Sequence, residues 1–223
     1  MIGVFKPSLD IQLLSDSLSR QLGDALVMVG SCPELLGNPD MTVLVVVVNR
    51  DPETAVQAMS TVRAFRDPRL LLKVMTVPEV VRSLDVFPLE FSLFASHAHV
   101  WHGQNVFFPL KIEPHHLRRE CEFYLRSCAI KIREALVFKP NLKRLIQQSW
   151  PQMMATLQIL LSPHPRDPLS AQDVVSMLEA NLPSEDGLIR SVHHSVFHRR
   201  SLNITPVAYS QLVSQIVGFV DRQ

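Results

Sequence analysis

The run Met41-Thr42-Val43-Leu44-Val45-Val46-Val47-Val48 constrains this chain more than any other segment. It carries no charge and is mostly β-branched, which favours a strand. Apolar side chains fall at odd and even positions alike, so both faces of that strand must be covered. That is the condition of a central strand in a sheet with layers on either side. The run is also far below the roughly 20 apolar residues that a membrane helix needs. With 47% hydrophobic and 19% charged residues, the 223-residue chain can bury a core around such a strand.

The neighbouring segments supply the layers. Ser8 can cap a helix through about Gly23, with Leu9, Leu13, Leu14, Leu18 and Leu22 at helical spacing. Ala25 to Val29 is predicted as a strand ending in Gly30-Ser31, and a loop with Pro33, Gly37, Asn38 and Pro39 leads into the central run. Pro52 can open a helix through Phe65, with Ala55, Met59, Val62 and Phe65 on one side. Leu70 to Met75 is expected as a third strand. Thr76 to Leu84 has the signature of a short helix, with Thr76 as cap and Glu79 answering it. Phe87 to Phe94 is expected as a fourth strand. This alternation predicts an α/β (α+β) domain with a mixed sheet over residues 1–112.

From Pro114 onward the period is helical. Leu117, Cys121, Tyr124, Leu125, Cys128, Ile132 and Leu136 recur at steps of three and four. Pro140-Asn141 breaks the helix and Leu142 to Leu161 resumes it, with Pro151 expected to kink or divide it. Ser170 to Asn181 and Thr205-Pro206 to about Asp221 add two more, so residues 113–223 are expected to form an all-α helical bundle.

Composition narrows the function classes. A net charge of +1 is unlike the strong basic excess of a protein that coats DNA or RNA. Three widely spaced cysteines, Cys32, Cys121 and Cys128, form neither a disulfide framework nor a zinc ribbon and suit a reducing compartment. Met1 to Phe5 is too short for a secretory core before Lys6 and Pro7, so a soluble, cytoplasmic protein without membrane partners is expected.

Three segments of the first domain carry polar groups that could act together. Gly30-Ser31 ends a strand, Asp40-Met41-Thr42 enters the next, and Glu90 lies in Phe87-Pro88-Leu89-Glu90-Phe91 on a later one. Side chains alternate across a strand, so positions 40 and 42 face the same way, and Glu90 from a neighbouring strand could complete a cluster.

In these segments the chain resembles the nucleotidyltransferase superfamily, the polymerase-beta-like group. Its pattern is Gly-Ser, a loop, Asp-x-Asp/Glu on a strand and a third carboxylate on a later strand. The resemblance is sharper to a bacterial subset with an all-helical second domain, through Phe87-Pro88-Leu89-Glu90-Phe91, Val100-Trp101-His102-Gly103 and His116-Leu117-Arg118-Arg119-Glu120-Cys121-Glu122. It implies a nucleotide ligand held by Gly30, Ser31 and Thr42. It also implies Mg²⁺ held by Asp40 and Glu90, with two ions bridging the reacting oxygens. The second ligand position of that pattern falls on Thr42, a neutral hydroxyl and a poor substitute for a carboxylate on a hard dication. The loop from Cys32 to Pro39 contains no basic residue to grip phosphate, and Arg50, Lys73 and Arg82 have no spacing that places them.

The resemblance therefore implies a nucleotidyltransferase-like protein with a degenerate metal centre, a nucleotide-binding or protein-interaction module without transferase activity. A protein partner or a second copy of the chain would be its macromolecular partner. The alternative is an active Mg²⁺-dependent transferase moving a nucleoside monophosphate onto a small hydroxylated molecule or a protein, with Glu34 or Asp85 supplying the missing carboxylate.

Other reactive residues have simpler expected roles. His97 and His99 would share a strand face with His102 opposite, and His194 and His198 would share a helix face; neither set has the ligand count of a zinc site. Cys121 and Cys128 lie on the apolar stripe as small hydrophobes. His198-Arg199-Arg200 is expected to be a solvated basic cluster, and Trp150, Met153, Met154, Leu157, Leu160 and Leu161 to pack in the core.

Overall fold

The computed structural model describes residues 11–33, 41–49, 51–65, 67–137, 141–164, 167–183, 187–197 and 204–223. The chain divides into two compact units, the second starting at Pro114. The protein is α+β, with a four-stranded mixed sheet in the first unit and helices throughout the second.

The first unit begins with α1 (Ile11–Leu22), which buries Ile11, Leu14, Ser15, Leu18 and Leu22. Leu13, expected on that apolar face, is 56% exposed. A 3-10 turn at Gly23–Ala25, with Gly23 at φ +53°, reverses the chain into β1 (Leu26–Pro33). β2 (Thr42–Val48) follows, and none of its seven residues is exposed beyond a few per cent. α2 (Pro52–Phe65) buries Thr54, Ala58 and Val62, whereas Met59, expected inside, is 44% exposed. β3 (Leu70–Thr76), α3 (Val77–Arg82), α4 (Pro88–His97) and β4 (His99–Gly103) complete the unit.

The strand order is β3-β2-β1-β4. β1 runs antiparallel to β2 and to β4, and β2 runs parallel to β3. Leu44, Val46 and Val48 pack on one side with Leu14, Leu18, Ala58 and Val62 of α1 and α2. Val43, Val45 and Val47 pack on the other with Val80 of α3 and Phe91 and Phe94 of α4. The alternation of β2 thus divides the unit into two cores separated by one sheet.

Gly103 closes β4 under two constraints at once. Its φ is +73°, and an added Cβ would lie 2.0 Å from the Val27 carbonyl oxygen. Only glycine fits so close to β1 in that conformation.

Phe87 to Phe94 departs furthest from the structure expected of it. The segment is not a fourth strand but the greater part of α4. Pro88 occupies the first turn, where its fixed φ is pre-organised and its missing N–H costs nothing. Pro88, Leu89, Phe91, Ser92, Leu93 and Phe94 are all buried, so this helix is apolar almost all round and its sequence shows no helical period. The fourth strand is His99–Gly103 instead.

The second unit comprises α5 (Pro114–Val137), α6 (Leu142–Leu160), α7 (Ala171–Asn181), α8 (Leu188–Phe197) and α9 (Pro206–Val220). Side-chain oxygens cap three of them. Asn141 accepts from the Arg144 amide at 3.1 Å, Ser170 from Asp173 at 3.1 Å, and Thr205 from Ala208 at 3.1 Å. Pro151 does not divide α6, which runs unbroken through it and buries it beside Trp150 and Met153. The core gathers Leu125, Cys128, Ile132, Trp150, Met154, Leu157, Val174, Ile189, Tyr209 and Ile216. At the end of α9, Arg118 donates to the Val220 carbonyl at 3.2 Å and Arg126 holds Asp221 at 2.7 Å, cations placed at the negative end of that helix.

Candidate functional site

Gly30 and Ser31 lie inside β1, not at its end, since the strand continues to Pro33. Gly30 is paired with Val45 on one side and Val100 on the other, and Ser31 with Leu44 and His99. Their peptide groups therefore face neighbouring strands, unlike the free N–H groups of a phosphate-binding turn. The Ser31 hydroxyl is buried and accepts a 2.7 Å hydrogen bond from Trp101 Nε1. A Cβ on Gly30 would press on the Met28 methyl at 2.6 Å.

Thr42 is the first residue of β2, is 4% exposed, and donates its amide to the Arg69 carbonyl at 2.8 Å. It is in phase with Leu44 and therefore faces the α1 and α2 side, as does Ser31 in phase with Val29. These two hydroxyls share a face on adjacent strands, two residues apart in register. Asp40 and the alternative ligand Glu34 lie outside the described residues, as do Arg50 and the His198-Arg199-Arg200 cluster.

Glu90 is on the first turn of α4 rather than on a strand. Its carboxylate is paired with the ammonium of Lys73, with side-chain exposures of 18% and 34% respectively. Lys73 is in phase with Leu71 and Met75, which face α3 and α4. The sheet therefore separates Glu90 from Thr42: Ser31 and Thr42 share one face of the sheet, and Glu90 lies on the other. Asp85, the other alternative ligand, is exposed in the turn between α3 and α4.

The donor set can be tested against Mg²⁺. The ion prefers several oxygen ligands in near-octahedral geometry, and a pair of ions about 4 Å apart needs several carboxylates. Thr42 is neutral, and Glu90 has a cation as its partner. Together they do not fit such a centre. Among the described residues no three His, Cys, Asp or Glu side chains come together as a metal-binding group.

The histidines separate as well. His97 is the last residue of α4, not part of a strand, while His99 and His102 lie in β4. Burial pushes the His97 imidazole below its ordinary pKa, against the opposing effect of a hydrogen bond with the Leu93 backbone. His99 stands edge-on to Trp101 with ring centroids 4.4 Å apart. Two contacts escaped the reading of spacing altogether. One is the Trp101–Ser31 bond; the other is His193 Nδ1 accepting from Trp150 Nε1 at 3.4 Å. A buried indole N–H requires an acceptor, which is the only sequence signal for either.

No family model matches the chain, and no curated protein matches it. Among the described residues no helix is long and apolar enough to cross a membrane.

Proposed function

We propose that this chain is a nucleotidyltransferase-like protein without transferase activity, acting as a protein-interaction or nucleotide-binding module. The mixed sheet supports the kinship. So does the order of the pattern, with Gly30-Ser31 on β1 followed by Thr42 at the start of β2. The observation that carries the loss of chemistry is the Lys73–Glu90 ion pair. It sets the expected third carboxylate across the sheet from Thr42 and gives it a cation for a partner. A second cation there would be repelled by the ammonium, and the neutral Thr42 offers no compensating charge. Protein interaction is favoured over nucleotide binding because Gly30 and Ser31, the expected phosphate contacts, have their backbone paired with β2 and β4 and Ser31 is buried.

The test is calorimetric titration of ATP with Mg²⁺ or Mn²⁺, followed by a labelled-nucleotide transfer assay. We expect no metal-dependent transfer, and we expect Asp40→Ala to change any ATP affinity by less than about twofold, a difference well under 1 kcal/mol. Tight metal-dependent binding, with turnover abolished in Asp40→Ala, would establish the active transferase instead.

A further inference from the structure

We propose that α5 is the seam of a homodimer in which two copies of this chain cross antiparallel, with Ile130 on the two-fold axis. The inference rests on the second unit alone and is independent of the reading of the Gly30–Glu90 region.

The residues that α5 buries, Leu117, Cys121, Leu125, Cys128, Ala129 and Ile132, define one face of the helix. The opposite face should be polar. It carries Arg119, Arg126, Ser127 and Glu134, but among them stand Phe123, Ile130 and Val137, which are 65%, 49% and 75% exposed. The spacing of seven sets all three in one row, about 10.5 Å apart along the axis. A heptad repeat of exposed apolar groups flanked by charged residues is the pattern of a helix–helix seam.

What identifies the occupant is the symmetry of the row. About Ile130, Phe123 lies seven residues before and Val137 seven after; Arg126 lies four before and Glu134 four after. In an antiparallel crossing at Ile130, a residue before the centre meets the one equally far after it on the partner. Phe123 then meets Val137, Ile130 meets itself, and Arg126 meets Glu134, twice by symmetry. Such self-complementarity is what an isologous two-fold contact requires. A parallel crossing would set Arg126 against its own copy and is disfavoured. Arg126 is already oriented by Asp221 at 2.7 Å, which leaves other N–H groups of its guanidinium to bridge to a carboxylate.

The experiment is sedimentation of the full chain over roughly 1–100 μM, where a single helix pair of this size would titrate. The wild type is expected to dimerise with concentration. Ile130→Glu, which sets two carboxylates on the axis, should weaken the dimer at least about tenfold. Glu134→Arg should weaken it about fivefold, and Arg126→Glu with Glu134→Arg should restore it to within about threefold of wild type. Circular dichroism confirms that each variant is folded. A wild type that stays monomeric throughout overturns the proposal, as does a dimer indifferent to Ile130→Glu or a double variant no better than Glu134→Arg.

Discussion

Cys128 lies within the core of the second unit, where its Sγ contacts the Ser149 carbonyl at 4.0 Å beside the 2.8 Å bond between Ser149 and Tyr209. Burial pushes its thiol up to about 11. Below the unfolded thiol's pKa of about 9 both states keep the proton. Above it the unfolded chain ionises while the folded one does not, so stability falls as the pH rises towards 11. Urea denaturation between pH 8 and pH 11 should show a loss on the order of 2 kcal/mol from this group. Cys128→Ala should flatten that decline and lower stability at neutral pH. Burial also raises Cys121 and Tyr209, so part of the slope should survive; an unchanged slope would show that Cys128 does not contribute. The burial of both helix cysteines was legible from their spacing of seven, because one helix sets their positions. The Ser31–Trp101 bond was not, because 70 residues separate its ends and only the pairing of β1 with β4 unites them.

The elements divide along the same line. Thr76 and Glu79 form a capping box in the structure as in the sequence: the Thr76 hydroxyl accepts from the Glu79 amide at 3.3 Å, and the Glu79 carboxylate accepts from the Thr76 amide at 2.7 Å. Such a device is complete within four residues, so tertiary context had little to change. Thr76→Ala should cost about 1 kcal/mol in urea denaturation, whereas Thr76→Ser, which keeps the oxygen, should cost clearly less. Equal costs for the two would assign the effect to the methyl group. α4 is the opposite case. Its apolar residues contact the sheet and Phe107, with Phe91 and Phe94 rings 5.2 Å and 5.1 Å from the Phe107 ring. A helix buried on nearly every side loses the polar face by which helices are recognised, and Phe87, Leu89 and Phe91 then mimic the alternation of a strand. The expected site inherited that error, since Glu90 moved with the helix to the far side of the sheet.

At the level of the whole chain, each unit has its own interior. The second unit buries Trp150, Tyr209 and the aliphatic faces of five helices without any residue of the sheet in that cluster. A core of that extent is the requirement for independent folding. Residues 114–223 expressed alone should therefore give a helical spectrum and one cooperative thermal transition; a gradual, non-cooperative loss of helicity would show that they need the rest of the chain. The starts of α6, α7 and α9 were legible because Asn141, Ser170 and Thr205 mark them locally, whereas α8 had no such mark; the expected division at Pro151 failed because a buried proline can be carried within a packed helix.

The enclosure of β2 has a consequence for how the first unit can meet other molecules. A strand sealed along its whole length by valine contacts offers a visitor nothing but its two tips, near Thr42 and Asn49. Substitutions between those tips can alter recognition only by deforming the scaffold, so interface mapping belongs at the rim of the sheet and not on its spine.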